Sequence, residues 1–210
     1  MAQKNIRYKA RFITVEGTEG SGKSSVIVFL EKYLRAGGYS VKVFREPGST
    51  AVGEKIRAIL LDKKNSRLSK HTELLLYLAA RTQLIEEKLR LALRRYDIVI
   101  CDRFFDSTLV YQGFTLGLGS VAEKAVAIFS LGITPDLTLL LDAPVQEGLR
   151  RLKSKDRIES RPLSFHNNLR RGYLELAKKY PQRFSVIDAQ GSLQDIYPRV
   201  EKAVRKRLGL

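Results

Sequence analysis

Residues Arg11–Ser25 read RFITVEGTEGSGKSS. The opening RFITV, Arg11–Val15, is short and rich in β-branched and aromatic residues, and it reads as a strand. Gly17, four residues and then Gly22-Lys23-Ser24 satisfy the pattern G-x-x-x-x-G-K-[ST]. Glycines at that spacing let a backbone curl until several N–H groups face one chain of phosphates. The lysine adds a cation for the β and γ oxygens, and the serine hydroxyl is a ligand for Mg²⁺. A helix opening at Lys23 would add its positive N-terminal end. Gly17, Thr18, Glu19, Gly20, Ser21, Gly22, Lys23, Ser24 and Ser25 are therefore the candidate binding residues for a nucleoside triphosphate.

Outward from this loop, strand-length apolar runs alternate with longer helical patterns. Val41–Phe44, Asp97–Cys101, Leu137–Leu141 and Phe184–Ile187 make four further candidate strands. Their near-continuous apolar character suits a sheet covered on both faces. Helices are expected over Lys23–Ala36, Val52–Leu61, His71–Arg95, Val121–Ser130, Val145–Lys153, Ser164–Lys179 and Leu193–Arg207. The order predicts an α/β domain with an open five-stranded parallel sheet wrapped by helices, of the P-loop NTPase kind. Residues 1–210 contain no repeat, linker or low-complexity block, so a single domain is expected.

Composition narrows the class. The chain has 210 residues, 44% hydrophobic and 29% charged, which excludes collagen-like and largely disordered chains. No run of about 18 apolar residues is present, so no spanning helix is expected. There is no apolar signal core before Phe12, and Cys101 is the single cysteine. A cytoplasmic protein without a disulfide framework is the expectation. The formal net charge of +16 attracts anions without choosing among nucleotides, nucleic acids and acidic membranes.

Three further residues belong to the site, one for the metal and two for the second substrate. Asp102 ends the third strand, where an acidic residue beside a phosphate loop holds Mg²⁺ directly or through water. Arg45 and Arg103 follow the second and third strands, at the edge where open α/β sheets bind ligands. Two guanidinium groups beside a phosphate loop suit a second phosphate. An acceptor that is itself a phosphate is ionised at pH 7 and needs no general base, so His71 and His166 need no catalytic role. A deoxynucleoside kinase would instead require a carboxylate base beside an uncharged hydroxyl, and the arginine pair argues against it. The charge alone motivates a third reading, nucleic-acid binding regulated by ATP.

These segments also carry a resemblance. VEGTEGSGKSS (15–25), REPGST (45–50), DRFFDSTLVYQG (102–113) and TPDLTLLLDAP (134–144), in this order, resemble the thymidylate kinase family. ELLLYLAARTQLIEE (73–87) resembles its thymine-side helix, and DRIES with FHNNLRRGYLELAKKYPQRFSVIDA its lid and following helix. The resemblance covers about residues 11–190. It implies transfer of a phosphoryl group from ATP·Mg²⁺ to dTMP, in the synthesis of dTTP, by a homodimer with no membrane or specific nucleic-acid partner.

Residue by residue, it implies that Arg45 and Arg103 hold the dTMP phosphate. Arg81 would meet the thymine edge, with Tyr77 against the ring and Gln112 completing base recognition. Tyr111 would crowd the place of a ribose 2′-OH, Glu19 would contact the 3′-OH, and Ser107 would line the pocket. Ser24 and Asp102 would hold the metal. The loop has no arginine between Thr18 and Ser21, whereas residues 150–161 are rich in cations. This resembles the bacterial members, which supply the catalytic arginine from a helical lid, here about residues 150–162, and Arg157 in DRIE is the residue implied. Lys23, Arg157, Arg103 and Asp102 are thus the implied catalytic group. Four departures are Ser49, where the family commonly has glycine, Glu19, where many members have aspartate, Arg161, where related lids often carry an acidic or polar residue, and a short segment before DRIE.

Overall fold

The computed structural model describes residues 8–152 and 154–209. Five strands, β1 (Arg11–Gly17), β2 (Val41–Arg45), β3 (Ile98–Asp102), β4 (Leu137–Asp142) and β5 (Phe184–Asp188), form one sheet in the order β2-β3-β1-β4-β5. Every pairing is parallel, with Ile13 opposite Ile100 and Leu137, and Val43 opposite Ile100. The helices are α1 (Lys23–Ala36), α2 (Ala51–Leu61), α3 (Lys70–Leu84), α4 (Arg90–Arg95), α5 (Phe105–Thr108), α6 (Gly119–Phe129), α7 (Val145–Arg150), α8 (Leu163–Lys179) and α9 (Leu193–Leu208).

Strand side chains alternate between the two faces, as a period of two requires. Ile13, Val15, Ile98, Ile100, Leu139 and Leu141 face one layer, where Val26, Leu30 and Leu34 of α1 meet Ile196, Val200 and Val204 of α9. Phe12, Val99 and Cys101 face the opposite layer, with Leu74 and Leu78 of α3 and Ala122 of α6. Both faces being covered explains why the strands read as unbroken apolar runs. Fully burying side chains such as Leu30 or Leu34 contributes about 1.5–3 kcal/mol each.

The expected sheet is present, and three helical expectations need revision. The run His71–Arg95 is not one α-helix: α3 and α4 are joined by a π-helical turn at Ile85–Leu89. The helix expected over Val145–Lys153 ends at Arg150, and Lys153 lies outside the described residues. Residues 105–115, expected only as a motif after β3, are helical: α5 runs into a second π-helical turn, Leu109–Thr115. Their propensity is poor, because Thr108, Val110, Gly113 and the aromatics disfavour helix. Packing of Val110 and Tyr111 against Leu169 and Tyr173 of α8 outweighs it.

Ser49 has φ 66°, a left-handed conformation that favours glycine. Its hydroxyl accepts from the Arg45 N–H at 2.8 Å and donates to the Arg45 carbonyl at 3.0 Å. Strain at such a residue is about 1–3 kcal/mol, so Ser49→Gly relieves strain while losing two bonds. Ser49→Ala keeps the strain and loses the same bonds. Urea unfolding is expected to rank Ser49→Ala below Ser49→Gly by about 1 kcal/mol. Equal stabilities would show that the backbone turn relaxes.

Candidate active site

The C-terminal ends of β1, β2 and β3 open into a cavity of about 670 Å³. Its floor is the loop between β1 and α1, where Gly17, Gly20 and Gly22 all have positive φ. The N-cap of α1, Gly22, supplies no side-chain cap, and no acidic residue lies in the first turn. The first-turn N–H groups are thus left for an anion. Lys23 folds back over the loop, and Nζ donates to the carbonyls of Gly17 at 3.1 Å and Thr18 at 2.7 Å. An ammonium has three donors, so one remains for phosphate. Burial, helped by nearby Arg103, lowers its pKa to about 8.

That shift sets a pH expectation. Burial disfavours the charged form, so Lys23 of the free enzyme loses its proton as pH rises through about 8. kcat/KM for ATP reports the free enzyme and should fall above about pH 8. Saturating triphosphate stabilises the ammonium and should move the limb in kcat upward. A flat kcat/KM profile to pH 10 would show that Lys23 titrates normally.

The opposite wall is built on Arg103, itself at φ 68°. Its guanidinium donates to the Gly17 carbonyl at 3.0 Å, the Tyr173 hydroxyl at 3.0 Å and the Glu19 carboxylate at 3.1 Å. Glu19 also accepts from Tyr111, and its second oxygen lies 3.3 Å from His166 Nδ1. Burial alone would raise the Glu19 pKa; His166, Arg103, Lys23 and Tyr111 together hold it at about 2. Behind Arg103, buried Glu16 accepts from the Phe104 N–H, the Ser107 hydroxyl and the Tyr173 hydroxyl at 2.7–2.8 Å. Burial pushes the Glu16 pKa up despite Arg103.

Lys23, Ser24, Ser25, Glu19, Gly20, Gly22, Arg45, Tyr77, Asp102, Arg103, Ser107, Tyr111 and Gln112 all line this one cavity. Arg45 is half-exposed, and its Nη2 donates to both carboxylate oxygens of Glu54, at 2.8 and 2.9 Å. Gly17, Thr18 and Ser21 lie in the buried turn of the loop beneath it.

Two expected residues sit elsewhere. Arg81 is buried behind the wall, its Nε on Glu46 at 2.7 Å and its other nitrogens on Thr108 Oγ1 and the Phe104 carbonyl. Arg157 is turned inward. Asp156 Oδ1 accepts from the N–H groups of Ile158 and Glu159, and Glu159 accepts from the Asp156 N–H. This closed turn aims Arg157 at the Leu60 carbonyl, 2.6 Å away, and at Glu73, 2.8 Å away. Among the described residues, the lid cation at the loop is Arg151, which lines the cavity and donates to the Gly20 carbonyl at 3.3 Å. α7 brings it there because its backbone lies directly on the loop: a Cβ on Gly20 would collide with Gly148, and one on Gly148 with the Glu19 carbonyl.

Sequence reasoning missed Glu16, Glu73, Tyr173, the buried side of His166, and Arg57, which lines the cavity and donates to the Pro47 carbonyl at 3.1 Å. Glu16 had a signal, a charge at a strand position facing the same way as Phe12 and Thr14. Glu73 had one as well, since 73, 77 and 81 share a helix face. Among the described residues, no group of three or more His, Cys, Asp or Glu is arranged to hold a metal. The Ser24 hydroxyl and the Asp102 carboxylate offer two oxygens beside the loop. That set fits Mg²⁺, which keeps waters and binds with phosphate oxygens.

The profile described as "Thymidylate kinase" matches residues 15–200. The chain belongs to the thymidylate kinase family. It is 44% identical over 203 residues to the thymidylate kinase of Thermoanaerobacter sp. (strain X514), covering 95% of this chain and 100% of that one. With the thymidylate kinase of Chlamydia caviae it shares 43% over 198 residues, 91% and 96% of the two chains. The crystal structure of thymidylate kinase from Ehrlichia chaffeensis superposes with a TM-score of 0.75 at 31% identity, covering 93% of this chain and 98% of that one. As a thymidylate kinase family member the chain is an ATP-dependent nucleotide kinase on a phosphate-loop fold. Among the described residues no helix is long and apolar enough to cross a membrane.

Proposed function

We propose that residues 1–210 form one catalytic domain that transfers the γ-phosphoryl group of ATP to the phosphate of dTMP, giving ADP and dTDP. The observation that carries this reading is one cavity holding both the phosphate loop and, at the ends of β2 and β3, Arg45 and Arg103. A phosphate oxygen of the acceptor attacks the γ-phosphorus, and no base is needed because that oxygen is already ionised. Lys23 and the first-turn N–H groups of α1 bind the donor phosphates. Arg45 and Arg103 hold the acceptor phosphate, with Ser107 beside them. Tyr77 faces the thymine ring, Gln112 its edge, and Arg81 supports the base side from behind. Tyr111 and Glu19 meet the sugar. Ser24 and Asp102 would hold Mg²⁺, which supplies charge neutralisation at the β and γ oxygens.

The resemblance assigns the lid charge to Arg157. The contact of Arg151 with Gly20 supports Arg151 as the residue that neutralises the transferring group, with Arg157 held by Glu73. Exposed Leu75 on α3 and Val121 and Ile128 on α6 support a homodimer, which sedimentation equilibrium checks.

The test is purified protein with ATP, Mg²⁺ and a panel of monophosphates, products resolved chromatographically. dTDP is expected from dTMP, and no product from thymidine. Phosphorylation of thymidine in place of dTMP would overturn the reading. Arg103→Ala is expected to damage use of dTMP and spare ATP binding, since each lost charge-assisted bond is worth about 1.5–3 kcal/mol. Weakened ATP binding with unchanged dTMP kinetics would reverse the donor and acceptor sides.

A further inference from the structure

Glu73 is fully buried on α3. Its Oε1 accepts from Gln112 Nε2 at 2.8 Å, and its Oε2 accepts from Arg157 Nη2 at 2.8 Å and Arg161 Nη2 at 2.6 Å. Both oxygens of this carboxylate are met by donors, two of them guanidinium N–H groups, so Glu73 acts here only as an acceptor. The Gln112 amide therefore has one satisfactory orientation. Its amino group must face Glu73, which turns its carbonyl oxygen away. Gln112 lines the cavity beside Tyr77, and Tyr77 stands one turn from Glu73 on the same helix face. Among the described residues no donor meets Gln112 Oε1, so that acceptor is left for a ligand.

We propose that Glu73 is the positioning residue for base selection: it fixes Gln112 as an acceptor toward the nucleobase, so the site takes a pyrimidine with a ring N–H and rejects one with a bare ring nitrogen. Thymine and uracil carry a proton on N3, whereas cytosine presents a lone pair there. Cytosine would bring two acceptors together in a buried place, where an unmatched polar group is heavily penalised. The inference rests on the reading above that Gln112 faces the base. It adds that the choice is made one residue further back, by a carboxylate that touches no substrate. The same carboxylate anchors two lid arginines, so base pocket and lid share one buried charge.

Glu73→Gln separates this role from a structural one. The new amide must offer its oxygen to Arg157 and Arg161, which leaves its amino group facing Gln112. Gln112 then turns over and presents a donor to the base. Steady-state kinetics with dTMP and dCMP should show the ratio of their kcat/KM values falling by about 10-fold or more, with KM for ATP little changed. Gln112→Ala should lower the same ratio, and adding Glu73→Gln to it should lower the ratio no further, because residues acting through one contact are not additive. Equal losses on both acceptors, with the ratio kept, would make Glu73 a structural residue and overturn the proposal. Where Glu73→Gln does not fold, Glu73→Asp keeps the charge for the arginines and withdraws it from Gln112. It should narrow the ratio about threefold or more, and an unchanged ratio in a folded Glu73→Asp enzyme also overturns the proposal. A wild-type enzyme that phosphorylates no monophosphate would sink the functional reading instead, and that result is visible before any variant is made.

Discussion

Replacing Lys23 by alanine is expected to lower the turnover of dTMP phosphorylation at least about 100-fold, because it removes a preorganised cation from the phosphates undergoing transfer. The geometry says why the loss falls on chemistry and not on folding. Lys23 Nζ spends two donors on the carbonyls of Gly17 and Thr18 and keeps one for the ligand. The Gly17 carbonyl also accepts from Arg103, so the loop keeps one of its ties when Lys23 is gone. Burial holds the lysine pKa near 8, which means that the free protein carries this charge against its solvation preference. Circular dichroism and thermal unfolding of Lys23→Ala should resemble wild type while turnover collapses. Wild-type turnover in the variant would remove Lys23 from the site.

The second large effect belongs to the lid, and it divides two arginines. Arg151→Ala should lower the single-turnover rate of phosphoryl transfer by about 1,000-fold, the behaviour of an arginine that engages the transition state. Binding of either nucleotide should change much less, because an interaction made only in the transition state appears in kcat. Arg157→Ala should behave otherwise. It empties one of two guanidinium positions on buried Glu73 and the contact with the Leu60 carbonyl. Breaking a buried pair from one side costs about 3–5 kcal/mol, and Arg161 remains on the same carboxylate, so about 3 kcal/mol is expected by urea unfolding. A rate collapse in Arg157→Ala at unchanged stability, with Arg151→Ala near wild type, would show that Arg157 leaves Glu73 during the reaction.

The residue sequence by itself determined the sheet and the donor side. Short β-branched runs separated by helical periods can bury both faces only as a parallel sheet under two helical layers, and each of the five expected strands overlaps an observed one. G-x-x-x-x-G-K-S is a local device: its glycines, lysine and the start of α1 are contiguous, so the chain carries the phosphate loop whole. Arg45, Asp102 and Arg103 were legible too, since each directly follows or ends a strand and the sheet edge gathers such residues. What lay beyond reach involved residues brought together from distant parts of the chain. A row of lid cations does not say which one faces the loop. The Asp156–Glu159 turn aims Arg157 inward, and the glycine contact of α7 with the loop brings Arg151 to the Gly20 carbonyl. Arg81 has the right helix face, yet Glu46, Thr108 and Phe104 hold it behind the wall. Residues 105–115 have little intrinsic reason to be helical and become so by packing on α8. Glu73 joins Gln112, Arg157 and Arg161 across sequence separations of 39, 84 and 88 residues. Only tertiary structure could assemble such a junction, because a buried carboxylate must find its partners wherever the fold delivers them.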